Sequence, residues 1–108
     1  MAHSYKVIGK TLATTSQTSV LTAASTETLI VRSIRVTNKT SNTPTVTLDV
    51  TDNSASATYR FEQTKSLSAN TAYELLTQPL VLEASDILKV TMSSTDSTDL
   101  VISYLSVS

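Results

Sequence analysis

The sequence predicts an all-β fold, an antiparallel β-sandwich or jelly-roll-like arrangement of about eight short strands. Three observations carry that expectation. Apolar and polar residues alternate with a period of two in several segments, most cleanly over residues 45–51. About a third of the residues are Ser or Thr; Thr is β-branched and suits strands, whereas Ser suits turns and surfaces. The strong helix formers Ala, Leu, Glu and Lys do not cluster at helical spacing. A mucin-like stalk would also be rich in Ser and Thr, but with more Pro and no ordered alternation.

Tyr5, Val7 and Ile8 mark a first strand, and Val20-Leu21 a second. Residues 28–37 form a longer third strand. Strict alternation puts Ile30, Arg32, Ile34 and Val36 on one face, with Leu29, Val31, Ser33, Arg35 and Thr37 on the other. Asn38-Lys39-Thr40-Ser41-Asn42 then closes a hairpin into residues 45–51, where Val46, Leu48 and Val50 point inward. Thr45, Thr47, Asp49 and Thr51 face water. Asp52-Asn53-Ser54 turns the chain into a strand in which Ala57, Tyr59 and Phe61 alternate with Thr58, Arg60 and Glu62.

Residues 67–71 connect, with Asn70 suited to a left-handed turn. Residues 72–76 form a short strand, and the apolar run 79–82 is expected to cross the core. Glu83-Ala84-Ser85-Asp86 turns into a strand at 87–92, and a polar loop, 93–99, leads to the last strand. The chain has one glycine, Gly9. Tight two-residue hairpins favour glycine, so loops of about three to five residues are expected instead.

The last strand is apolar on both faces. Leu100, Ile102 and Tyr104 share one face, and Val101, Leu105 and Val107 share the other. Such a strand needs cover on both sides. A chain of this length has little material to spare. Val101, Leu105 and Val107 are therefore the candidate interface. A neighbouring subunit, in a cyclic trimer or on a larger lattice, is the expected cover; a central position in the sandwich is the alternative.

At 108 residues the chain accommodates one domain, spanning 1–108. A net charge of -1, with eight scattered Lys and Arg residues, argues against a nucleic-acid surface. There is no apolar stretch of the roughly 18 residues that a membrane helix requires. No secretory signal is expected from Met1-Ala2-His3-Ser4-Tyr5-Lys6.

Catalytic chemistry has few candidates. The chain has no cysteine and one histidine, His3, read as a solvated terminal residue. Asp49, Asp52, Asp96 and Asp99 could line oxygen-rich calcium loops, but their spacing fits solvated turns better. Glu62, Glu74 and Glu83 carry no glycosidase-like pattern. No nucleophile elbow or phosphate-cradling loop is present. Asn38-Lys39-Thr40 matches a glycosylation acceptor and is read as a turn. Tyr5, Tyr59, Tyr73 and Tyr104 are expected to be half-buried by strand packing. The sequence is read as non-enzymatic, with no cofactor and no metal.

Several segments together resemble a group of short tailed-phage virion proteins. Residues 4–10, followed by a Thr-rich stretch into Val20-Leu21-Thr22, look like their first element. Residues 28–38 are similar to their strand ending in an Asn turn, and Leu67-Ser68-Ala69-Asn70-Thr71 to their loop before the last sheet. Residues 80–90 look like their most recognisable segment, which more often carries Gly where this chain has Ser85. The resemblance spans the chain and implies a virion β-sandwich, oligomeric, assembled in the host cytoplasm, with the major capsid protein or tail proteins as partners. Capsid decoration is the first expectation, because the frame starting at Met1 carries no long fibrous shaft. A tail-associated adaptor, fibre or receptor-binding module is the second. A small carbohydrate-binding module is a third, weakened by four Tyr, one Phe and no Trp.

Overall fold

The β-branched and apolar residues that alternate in sequence build nine strands and no helix, in a computed structural model that describes residues 2–108. The strands are β1 (His3–Leu12), β2 (Thr18–Thr22), β3 (Thr28–Asn38), β4 (Thr45–Asp52), β5 (Ala57–Ser66), β6 (Ala72–Glu74), β7 (Leu80–Leu82), β8 (Ile87–Met92) and β9 (Thr98–Val107). They form two antiparallel sheets. One has the order β1-β9-β3-β6, with β7 also beside β3; the other has the order β2-β8-β4-β5. The chain passes repeatedly between the sheets, the strand order of a jelly roll. The short strand expected at 72–76 is β6, ending at Glu74, and the apolar run 79–82 contains β7; the two pair with opposite halves of β3.

Two inner faces make one core. Leu29, Val31, Ile34, Val36, Leu100 and Ile102 from the first sheet meet Val46, Leu48, Leu88, Val90 and Met92 from the second, all fully or nearly fully buried. Burying a side chain of this size contributes about 1.5–3 kcal/mol. Val46 and Leu48 point inward as their alternation requires, and Val50 packs at the core's margin.

The strict alternation expected in β3 fails at Arg32. A bulge between Val31 and Ser33 inserts one extra residue opposite β9. One residue exchanges the faces. Leu29 and Val31 therefore face the core together with Ile34 and Val36, while Ile30 turns outward. Glu74 fills the gap between β6 and β7 beside this bulge. Its carboxylate accepts from the Ile34 amide at 2.8 Å, the Leu76 amide at 3.2 Å and the Ser33 hydroxyl. Burial pushes the Glu74 carboxyl up, but these donors and nearby Arg35 outweigh it and hold the group below the usual carboxylate range.

Other expectations also change. Residues 80–82 run along the side of β3 rather than across the core: Leu82 is buried and Val81 exposed. Asp49 is not a solvated turn residue. It is buried in β4, where its carboxylate accepts from Gln17 Nε2 and Arg60 Nε, each at 3.0 Å. Asp86, also buried, accepts from the amides of Asn53 and Glu83, each at 2.9 Å. Asn38 is fully buried and organises its turn, as read. Its Nδ2 donates to the Asn42, Leu67 and Ser68 carbonyls, and its Oδ1 accepts from Thr40.

Candidate interaction surface

The outer face of the larger sheet follows from the register of three strands. β1 pairs with β9 over ten residues without a break, matching Tyr5 to Leu105, Val7 to Ser103, Gly9 to Val101 and His3 to Val107. Across β9, Leu105 faces Ile30 of β3, and Ile30 faces Val81 of β7. Tyr5, Leu105, Ile30 and Val81 thus form one apolar row across four strands. Val7 and Val107 flank it, and Val101 lies two rows further along β9, beside Gly9 and Arg35.

Among the described residues, no second layer of the same chain lies over this face. Tyr5 is 78 % exposed, Val7 67 %, Val81 52 % and Val101 42 %. Leu105, Val107 and Ile30 are partly buried by their neighbours. The candidate residues Val101, Leu105 and Val107 do share one outward face of a central strand, but only Leu105 belongs to the apolar row. Tyr5, Val7, Ile30 and Val81 join that surface without having been singled out. The alternation of Tyr5 and Val7 is readable in sequence; Ile30 is not, because the bulge reverses its face. Beside the row, Tyr5, Lys6, Val7, Arg32, Ser103 and Tyr104 line a groove. A second depression sits over Gly9, lined by Gly9, Lys10, Thr11, Asp99, Leu100 and Val101.

The tyrosines divide differently from expectation. Tyr73 and Tyr104 are half-buried against the core, whereas Tyr5 and Tyr59 are exposed. A lone aromatic ring left in water on a strand loses the packing that favours it there. His3 is exposed, as read, and stands at the start of β1 opposite Val107.

Asp52, Asp96, Asp99 and Glu27 are engaged by protein donors. Asp52 accepts from the Ser54 amide and hydroxyl. Asp96 accepts from Asn42 at 2.9 Å and Ser94 at 2.7 Å, which hold its pKa down. Asp99 accepts from Thr11 at 2.8 Å and meets Lys39 at 3.2 Å, again lowering its pKa. Glu27 accepts from the Ala24 amide at 3.0 Å and from the Ser106 hydroxyl, and is lowered by both. Glu62, Glu74 and Glu83 lie on three different elements, β5, β6 and the turn before β8. Among the described residues, no three His, Cys, Asp or Glu side chains come together as a metal site. Comparison with family models, curated proteins and solved structures found no match for the chain.

Proposed function

We propose that this chain is a non-enzymatic virion structural protein that decorates or cements a tailed-phage head. The single observation that carries the assembly role is the apolar row Tyr5, Leu105, Ile30 and Val81 on an uncovered sheet face. Contiguous apolar surface of this kind marks protein–protein contact. The end-to-end resemblance to short virion proteins supports a virion subunit on head or tail, and a single small sandwich that suits binding in many copies puts the head first. In this reading the outer face of the β1-β9-β3 sheet seats on the major capsid protein. Binding there is driven by burial of the row, with Arg32 at its margin orienting the contact.

Quantitative mass spectrometry of purified particles carrying this protein tests the reading. Hundreds of copies per particle are expected for head decoration. A few to tens would move the protein to the tail, and absence from particles would overturn the virion role. Leu105→Asp and Ile30→Asp in particle-free protein, with the β signal in circular dichroism unchanged, should abolish recruitment to heads.

A further inference from the structure

We propose that β1 pairs edge to edge with β1 of a second copy, antiparallel across a twofold axis at Val7, joining the two larger sheets into one continuous sheet. This inference does not depend on the virion reading, and it replaces the cyclic trimer with an isologous dimer.

Free strand edges invite pairing, and proteins usually guard them. Three of the four sheet edges here are guarded. β6 and β7 are three residues each. β2 has five residues and a bulge between Ser19 and Leu21. β5 is long, but its pairing with β4 shifts register twice, between Val46 and Leu48 and between Leu48 and Asp49, and Thr64 adopts a positive φ of 44°. β1 has none of these features, and its only guards are the charges of Lys6 and Lys10. It runs for ten residues in unbroken register, with no proline or bulge, and along most of its length it is exposed.

The backbone groups left free can be identified. Ala2 and Ser108 exchange both of their backbone hydrogen bonds, at 2.8 and 2.9 Å. In an antiparallel ladder such pairs alternate with pairs that exchange none. The even-numbered residues of β1 therefore bond to β9. His3, Tyr5, Val7, Gly9 and Thr11 aim their N–H and C=O groups away from it. A second β1 centred on Val7 pairs His3 with Thr11, Tyr5 with Gly9 and Val7 with Val7, closing about ten backbone hydrogen bonds.

Side chains select this register. Shifting the axis to Lys6 sets Lys6 against Lys6 of the second copy. Shifting it to Ile8 sets Lys6 against Lys10 twice. Like charges directly opposite are destabilising. With the axis at Val7, Lys6 meets Ile8 and Lys10 meets Ser4, so nine of the ten residues of β1 pair with β1 of the second copy, Leu12 meets Ala2, and no like charges oppose each other.

Gly9 supplies an independent indication. It is the chain's one glycine, yet neither backbone nor packing within the chain requires it. It has no positive φ, and an added Cβ would approach nothing closer than the Leu100 carbonyl oxygen at 3.9 Å. Glycine inside a strand often marks close approach of another group. In the proposed register the exposed ring of Tyr5 from the second copy lies across Gly9, over the depression there. An aromatic residue opposite an edge glycine is a stabilising cross-strand pair.

The full chain should sediment at twice its own mass at concentrations up to about 1 mM; a single-chain mass throughout that range overturns the proposal. Val7→Pro removes an outward N–H and leaves the bonds to β9 in place. It should give a folded monomer, with association weakened about a hundredfold or more; a folded dimer would contradict the edge contact. Gly9→Val should weaken association about tenfold without lowering monomer stability. Should Val7→Pro not fold, cysteine cross-linking decides. Val7→Cys should form a disulfide-linked dimer under mild oxidation, because paired Cα atoms are about 5.5 Å apart. Lys6→Cys alone should not. Efficient linkage through Lys6→Cys without linkage through Val7→Cys would overturn the register.

Discussion

β1 and β5 are both ten-residue strands at the rim of their sheets, both exposed along most of their length, and they differ in the regularity of their pairing. β5 is broken by two register shifts, strained at Thr64 and tied to β4 through Arg60 on buried Asp49. β1 is straight in register from end to end, and it exposes Tyr5 and Val7 much as β5 exposes Tyr59 and Phe61. A rim that is irregular and held by its own sheet resists further pairing. A rim left regular, with apolar side chains outward, is a surface that association would complete. The same contrast divides the two faces of β9: Leu100 and Ile102 are sealed in the core, while Val101 faces out.

Core substitutions have the largest expected effect, and they should not distinguish the two sheets. Ile102→Ala in the first sheet and Leu48→Ala in the second should each cost about 2–5 kcal/mol by chemical denaturation, since both side chains are essentially fully buried. Thr47→Ala should cost far less. Equal losses at Leu48 and Thr47 would mean that the β4 register is wrong by one residue.

The rims should separate next. Asp49→Ala leaves Gln17 and Arg60 without their acceptor and should destabilise the chain by about 1–3 kcal/mol. Val7→Ser on the exposed rim of β1 should change monomer stability by no more than about 0.5 kcal/mol. A large loss of monomer stability at Val7 would erase the contrast between the edges.

Acid provides a third comparison. Glu74 and Glu27 both support the larger sheet, and both carboxyls lie below their ordinary value in the folded chain. A lowered folded pKa contributes stability that is present above the unfolded value and is lost as pH falls through the folded one. Thermal melts should therefore lose stability as pH drops from about 5 through the acid range. Glu74→Gln should flatten part of that dependence and lower stability at neutral pH. An unchanged pH profile would show that the Glu74 bonds beside the bulge contribute nothing.

The smallest effects concern backbone strain. Ser85 has φ 68° and Thr64 has φ 44°. Ser85→Gly and Thr64→Gly should each relieve strain, with a net gain of about 1 kcal/mol or less once glycine's extra unfolded-state entropy is counted. Destabilisation at Ser85 would mean that its side chain contributes more than its conformation costs. The substitution carries a sequence lesson too. Ser85 occupies a turn position whose left-handed geometry suits Gly.

Alternation made β4 and the inward face of β9 legible in the sequence. Asn38 and Asn70 were legible as turn residues because their side chains and backbone suit that geometry; Asn70 has φ 53°. What alternation cannot show is a bulge. One extra residue at Arg32 moved Ile30 outward and Leu29 and Val31 into the core, changing the candidate surface. Asp49 read as polar and therefore wet, because its partners Gln17 and Arg60 come from other elements. Val101, Leu105 and Val107 were identifiable as apolar residues on the second face of β9. Their apolar neighbours on β1, β3 and β7 depend on strand order, which no local pattern contains.

Amide hydrogen exchange as a function of protein concentration tests the unguarded edge most directly. At concentrations where the dimer is populated, the Tyr5, Val7, Gly9 and Thr11 amides should become protected. On dilution they should exchange freely, while Lys6, Ile8 and Lys10, bonded to β9, keep their protection and β5 shows no change with concentration. Rapid exchange of Tyr5, Val7 and Gly9 at every concentration, or new protection appearing along β5 instead, would contradict it.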